Sequence, residues 1–258
     1  MKQGNTSSAV MNQRHEPHDS LDDFPTPPWA TRAICEKLKA LGYNLPEMSA
    51  WDPCCNRGYM VEPMVEYFGS VFASDVHDYG YPKMDAQADF LMPWGNDAPD
   101  VDFIFMNFPF RLGLEFILQG LKLARVGVAV FARANFIEGQ ERYTELFSQT
   151  PEAYFLPFVE RVVLWKGVLL DPDVKIAKWN EKKKAYLIEK PTTPTSYAWL
   201  IFRKGHNGYG ELHRIPPCRK ELTRDGDYPP LPAHLDPALV IKRPDFSATD
   251  AYQQGLGI

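Results

Sequence analysis

The stretch Trp51-Asp52-Pro53-Cys54-Cys55-Asn56-Arg57-Gly58 constrains this chain most. The apolar approach Met48-Ser49-Ala50 leads into it, and a helical pattern, Tyr59-Met60-Val61-Glu62-Pro63-Met64-Val65-Glu66-Tyr67-Phe68, leaves it. An apolar run, an acid, a few small residues, a glycine and a helix describe one strand turning tightly into one helix. Such a turn brings free backbone N–H groups at the helix start within reach of a ligand. An ordinary strand-to-helix connection has the same look, so the turn decides nothing by itself.

Apolar segments and helical patterns go on alternating. Strands are expected over 49–52, 71–75, 101–106 and 126–133, with helices over about 113–124 and 136–149. A helix over about 32–41, capped by Thr31 and ended by Gly42, precedes the first strand. A short helical turn is expected within 85–90. Residues 154–165 are rich in β-formers, and Ser196-Tyr197-Ala198-Trp199-Leu200-Ile201-Phe202 reads as a strong last strand. This alternation implies an α/β fold, a doubly wound, mostly parallel sheet, with the two late β-segments as an antiparallel edge hairpin. Residues 1–20 are polar and read as a disordered or mobile arm. Residues 21–205 form the domain, interrupted by a charged excursion at about 166–190. Residues 206–258 are proline-rich and read as an extended arm lying on it.

Three more segments carry chemistry. Asn107-Phe108-Pro109-Phe110 follows the apolar run Val101-Asp102-Phe103-Ile104-Phe105-Met106, Phe24-Pro25-Thr26-Pro27-Pro28-Trp29 stands upstream, and Ala73-Ser74-Asp75-Val76-His77-Asp78-Tyr79-Gly80 lies between. In this order, with the Asp52 loop, they resemble the class I S-adenosylmethionine-dependent methyltransferases that modify amino groups of nucleobases. Within that class the likeness is to the small phage- and prophage-type DNA adenine-N6 methyltransferases, over residues 23–204. The resemblance implies a Rossmann-like methyltransferase fold, S-adenosyl-L-methionine as cofactor, and methyl transfer to the exocyclic N6 amine of adenine in DNA. The family writes its cofactor loop D/E-P-x-x-G-x-G and its catalytic loop D/N-P-P-F/Y. This chain departs twice, with Asn56 at the first loop glycine and Phe108 at the first proline.

Ligands of doubly wound sheets bind beyond the carboxyl ends of the strands, where Asp52, Asp75, Asp89 and Asn107 are expected. By resemblance, Asp52 and the loop residues Cys54, Asn56 and Gly58 lie near the methionine moiety of the cofactor. Gly58 keeps the close-approach position, and Asn56 tolerates the positive φ its place requires. A carboxylate at Asp75 can accept both ribose hydroxyls. Asp89 and Phe90 resemble the pair that meets the adenine amino group and ring face. Phe24, Thr26 and Pro27 resemble the segment that closes over the cofactor, which Asn107 also borders by resemblance; a plain proline-rich turn has the same look.

By resemblance, the catalytic set is expected to be Asn107, Phe108, Pro109 and Phe110. An exocyclic adenine amine is a poor nucleophile because its lone pair is delocalised into the ring. Two acceptors, by resemblance the Asn107 side-chain oxygen and the Phe108 carbonyl, hold its hydrogens and favour the pyramidal form. Pro109 keeps Phe108 extended, and Phe110 offers a face on which the target base stacks. The extra aromatic at Phe108 either adds stacking or marks altered activity. Since duplex adenine hides its amine in the stack, the base must be flipped out.

Charge bears on the partner. Residues 1–160 hold 12 Lys and Arg against 22 Asp and Glu, whereas residues 161–224 hold 14 against 6. Lys175, Lys178, Lys182, Lys183 and Lys184, with Trp165, Trp179 and Tyr186 among them, suit a phosphate-and-stacking surface for DNA. A solvated lysine-rich hairpin has the same composition. The four cysteines form no C-x-x-C pair, so neither a metal site nor a disulfide framework is expected, and a reducing, cytoplasmic setting is the default. No apolar run approaches the roughly 18 residues of a membrane span. The resemblance leaves alternatives open: an RNA base methyltransferase, a protein glutamine methyltransferase, or a catalytically degenerate nucleic-acid-binding protein, the last motivated by Asn56 and Phe108.

Overall fold

In the computed structural model, residues 22–240 are described. The arm expected over residues 1–20, and the last part of the C-terminal arm, residues 241–258, lie outside the described residues.

The strand Phe103–Met106 explains the layers. All four residues are buried. Phe103 and Phe105 enter one apolar cluster, Ile104 and Met106 another, because successive side chains of a strand point to opposite faces. A strand buried on both faces requires cover on both. One cover is α1 (Pro28–Ala40), which contributes Trp29, Ile34 and Leu38, with Met64 from α2 (Val61–Val65). The other is α3 (Gly113–Leu123), which contributes Phe116 and Ile117. The indole N–H of Trp199 donates to the Ala30 carbonyl at 2.9 Å, fastening α1 to the sheet.

The strands are β1 (Ser49–Asp52), β2 (Ser70–Asp75), β3 (Ala86–Gln87), β4 (Phe103–Met106), β5 (Gly127–Arg133), β6 (Tyr154–Pro157), β7 (Ile176–Asn180), β8 (Ala185–Glu189), β9 (Tyr197–Arg203) and β10 (Glu211–Leu212). Eight of them form one sheet in the order β10-β6-β9-β5-β4-β1-β2-β3. Every neighbouring pair is parallel except those made by β9, which runs antiparallel to β5 and β6. The expected mostly parallel sheet with late antiparallel strands is therefore present, and β9 inserts between β5 and β6. The charged excursion forms a separate two-stranded hairpin, β7–β8. Chain order reverses between β1 and β4, which opens the ligand crevice of such sheets beside the ends of β1, β2 and β4.

Three local expectations are corrected. Thr31 does not cap α1: the helix starts at Pro28, and Thr31 lies buried within it. Proline in a first helical turn gives up only an N–H that would be unpaired anyway and brings a pre-set φ. Residues 85–90 carry no helical turn. Ala86 and Gln87 pair in parallel with Ser74 and Asp75, while the Asp85 carboxylate accepts the Ala73 N–H at 2.8 Å and extends the sheet edge. Residues 136–149 are not one helix. Gly139, at φ +116°, divides a 3-10 turn (Ala134–Ile137) from a helical turn (Gln140–Arg142) and a π-helical turn (Tyr143–Phe147). Among the described residues no helix is long and apolar enough to cross a membrane.

Candidate active site

β1 ends in Asp52, β2 ends in Asp75, and β4 runs directly into Asn107. The three polar groups converge because parallel strands all point their carboxyl ends the same way. Between them lies a cavity of about 310 Å³, a size suited to a nucleoside-like ligand.

The loop after β1 is organised by these carboxylates. Asp52 Oδ1 accepts the Cys54 N–H at 3.0 Å. Asp75 Oδ2 accepts the Asn56 N–H at 2.9 Å, and Asp75 Oδ1 accepts the His77 N–H at 3.0 Å. Asn56 takes φ +50° with its side-chain oxygen on the Arg57 N–H, a conformation this residue tolerates better than other non-glycine residues. Asp52 is fully buried, and its Oδ2 has no hydrogen-bond partner among the described residues. Burial holds its carboxyl well above the usual range; the Cys54 N–H opposes this and the charge of Asp75 adds to it. Burial also raises Asp75, against the N–H groups of His77 and Asn56. Burial and then these two carboxylates push up the thiols of Cys54 and Cys55, so neither is poised as a thiolate nucleophile.

The residues before α1 line the cavity and tie its loops together as a strap. Asp22 accepts the Phe110 N–H at 2.8 Å. Asp23 accepts from the Asn56 amide at 2.8 Å and pairs with the Arg57 guanidinium at 3.0 Å. That guanidinium lies 5.1 Å over the Tyr79 ring. The Phe24 carbonyl and the Thr26 hydroxyl accept the two hydrogens of Asn107 Nδ2, at 2.7 and 2.9 Å. A carbonyl oxygen cannot donate, so the nitrogen must face Phe24 and Asn107 Oδ1 is the acceptor left over.

Of the residues expected at the cofactor, Phe24, Thr26, Asp52, Cys54, Asn56, Asp75, Asp89, Phe90 and Asn107 all line this cavity, as does Pro109. Pro27 and Gly58 do not. Pro27 is the residue before the first turn of α1 and its carbonyl accepts the Ala30 N–H. Gly58, at φ +81°, has its open side against Tyr81, whose ring a Cβ would overlap. The Phe108 ring is buried against Phe116 and Phe136, so it is not a free stacking face. The Phe110 ring is half-buried, tilted against Phe24, with the Arg133 guanidinium 4.3 Å from its centroid. The sequence reading passed over Asp22, Tyr59, Tyr79, Leu112 and Phe116 of the lining. Aspartates beside Phe24 and aromatics beside Asp75 and Asn107 were the available signal.

Lys175, Lys178, Lys182, Lys183 and Lys184 line no part of the cavity. All five are exposed on or beside the β7–β8 hairpin. Lys184 pairs with Glu181 at 2.8 Å, and Lys178 lies 5.5 Å over the Trp165 ring. The Trp179 and Tyr186 rings meet at 5.1 Å.

No family model matches the chain, and no curated protein matches it. Solved structures do. A methyltransferase subunit of a type I restriction-modification system from Streptococcus thermophilus aligns over 92% of this chain and 54% of its own length, at 13% identity and a TM-score of 0.51. The chain thus spans about half of that subunit. A Listeria monocytogenes protein named as a class I S-adenosylmethionine-dependent methyltransferase aligns over 78% of this chain and 68% of its own, at 12% identity and a TM-score of 0.50. These likenesses establish the fold: a Rossmann-like sheet of the kind found in class I methyltransferases.

Proposed function

We propose that the protein is an S-adenosylmethionine-dependent methyltransferase that acts on the exocyclic N6 amine of adenine in DNA. The observation that carries the reading is the held amide of Asn107, which has both hydrogens engaged by Phe24 and Thr26 and its oxygen left as an acceptor at the cavity wall.

The residues present fit the cofactor. Asp52 Oδ2 is a buried acceptor with no partner, and buried polar groups normally have one. A cationic or N–H-bearing ligand supplies it. Asp75 has used one lone pair on each oxygen for backbone N–H groups and keeps further acceptor sites for two hydroxyls. Tyr79, half-buried, brings an aromatic ring to the same cavity, and the buried Phe90 and Phe116 add apolar lining. When bound, S-adenosylmethionine supplies an electrophilic methyl group. The chain's own part is to present the amine. Asn107 Oδ1 accepts one amine hydrogen and the Phe108 carbonyl accepts the other, which localises the nitrogen lone pair for attack. Pro109 keeps that carbonyl extended. Neither acceptor needs to be a strong base, because the nitrogen loses its proton after it has become cationic. Base flipping and phosphate contact by the lysine hairpin complete the reading.

Incubating the protein with labelled methyl donor and, separately, duplex DNA, RNA and a protein extract tests the substrate class. Label on adenine N6 of DNA, lost in Asn107→Ala, is the expected result. Label confined to RNA or to glutamine amides contradicts it.

A further inference from the structure

The sequence grouped Thr26 with the residues that close over a cofactor. Its environment points elsewhere. The Thr26 side chain is almost fully buried, and its oxygen lies 2.9 Å from Asn107 Nδ2. The other Asn107 hydrogen is taken by the Phe24 carbonyl at 2.7 Å. A primary amide has two N–H donors on one nitrogen and one oxygen acceptor. Two acceptors placed on the two hydrogens fix both the rotation of the amide and which end is oxygen. One acceptor alone leaves the second hydrogen without its protein partner and lets the group turn. We propose that Thr26 is a positioning residue, whose hydroxyl oxygen locks the Asn107 amide so that Oδ1 presents to the target amine. The inference rests on the assignment of Asn107 as acceptor for that amine.

The geometry also explains why a segment so distant in sequence lies here. Asn107 and Thr26 are 81 residues apart, and the tie runs from the strap before α1 to the loop after β4. Orientation of a reacting group needs this kind of fixed support, since a displacement of about 1 Å can cost about 100-fold in rate.

Thr26→Val removes the oxygen and keeps the shape; Thr26→Ser keeps the oxygen. Three measurements decide. In the protein without cofactor, the Asn107 side-chain amide signal, identified by its absence in Asn107→Asp, should exchange with water several-fold faster in Thr26→Val and at the parent rate in Thr26→Ser. Calorimetry should give Thr26→Val a cofactor affinity near the parent's. Single-turnover methylation at saturating cofactor and DNA should fall, by up to about 100-fold, and recover in Thr26→Ser. The double variant Asn107→Ala/Thr26→Val should be no slower than Asn107→Ala, because the two residues act as one unit. A Thr26→Val protein with unchanged amide exchange, or with a large loss of cofactor affinity and a parent rate at saturation, overturns the proposal. A parent protein that methylates no adenine sinks the proposed function, while the amide exchange still decides whether Thr26 holds Asn107.

Discussion

Asp52 is a carboxylate held where water does not reach, with one oxygen unpartnered. Its pKa is raised in the folded protein by burial. The folded state therefore holds this proton to higher pH than the unfolded chain does, so stability is lost as pH climbs from the ordinary carboxylate range through the raised value. Asp52→Asn removes that dependence. It should raise the melting temperature of the cofactor-free protein at neutral pH, by about 2–4 °C for each 1 kcal/mol recovered, and should flatten the pH profile. The same change should weaken the cofactor, because a bound cation favours the charged carboxylate. Binding to the parent should accordingly release protons and weaken as pH falls, which calorimetry in buffers of different ionisation enthalpy measures. A variant that binds the cofactor as the parent does removes Asp52 from the site. Asp75→Ala should cost affinity through two lost hydroxyl contacts, at about 1.5–3 kcal/mol for each charge-assisted bond. Asn107→Ala should slow turnover about 10²–10³-fold, the size seen when one transition-state hydrogen bond is removed, with cofactor affinity nearly intact.

At the scale of elements, the β7–β8 hairpin carries the basic charge. Its ion pairs lower what its lysines can contribute. Lys184 is engaged by Glu181, whereas Lys182 and Lys183 are exposed with no carboxylate partner among the described residues. Each phosphate neutralised on duplex DNA contributes about 0.9 to the log–log salt slope, so Lys182→Gln/Lys183→Gln should flatten it by up to about 1.8. Fluorescence anisotropy over a salt series reads this, and an unchanged slope makes the hairpin a solvated face. Elements like these were legible in the sequence to different depths. β1 and β4 were plain, since each is an apolar run ending in a polar residue with no rival pattern. The start of α1 was not, because Thr31 fitted the rule for caps while Pro27-Pro28 fitted the rule for first turns, and proline prevailed. Asn56 was readable because its requirement is local. Gly58 was not, because the ring that needs its missing side chain, Tyr81, is 23 positions further along the chain and meets it only in the fold. The strap's place over the site was read from the upstream segment, but its bonds to Asn56, Asn107 and Phe110 were not, since they span 33 to 88 residues.

For the molecule as a whole, Arg32 ties distant parts together. Its guanidinium, 4% exposed, pairs with Glu66 at 2.6 Å and Asp227 at 2.7 Å and donates to the Leu222 carbonyl at 2.8 Å. One side chain thereby joins α1, the end of α2 and the segment after β10. Removing one partner of a buried pair leaves the others uncompensated, so Arg32→Met should cost about 3–5 kcal/mol in denaturant unfolding. A loss under 1 kcal/mol would show that the clamp contributes little. All of this holds the strap, the Asp52 loop and the Asn107 loop around one cavity, and the central claim is what that cavity does. The direct measurement is base-resolved mapping of methylation in duplex DNA treated with the protein and S-adenosylmethionine, beside an Asn107→Ala control. The account predicts N6-methyladenine with the parent and, at matched times, at least about 100-fold less with the control. Unmodified adenine with both, from protein that binds the cofactor, would contradict it.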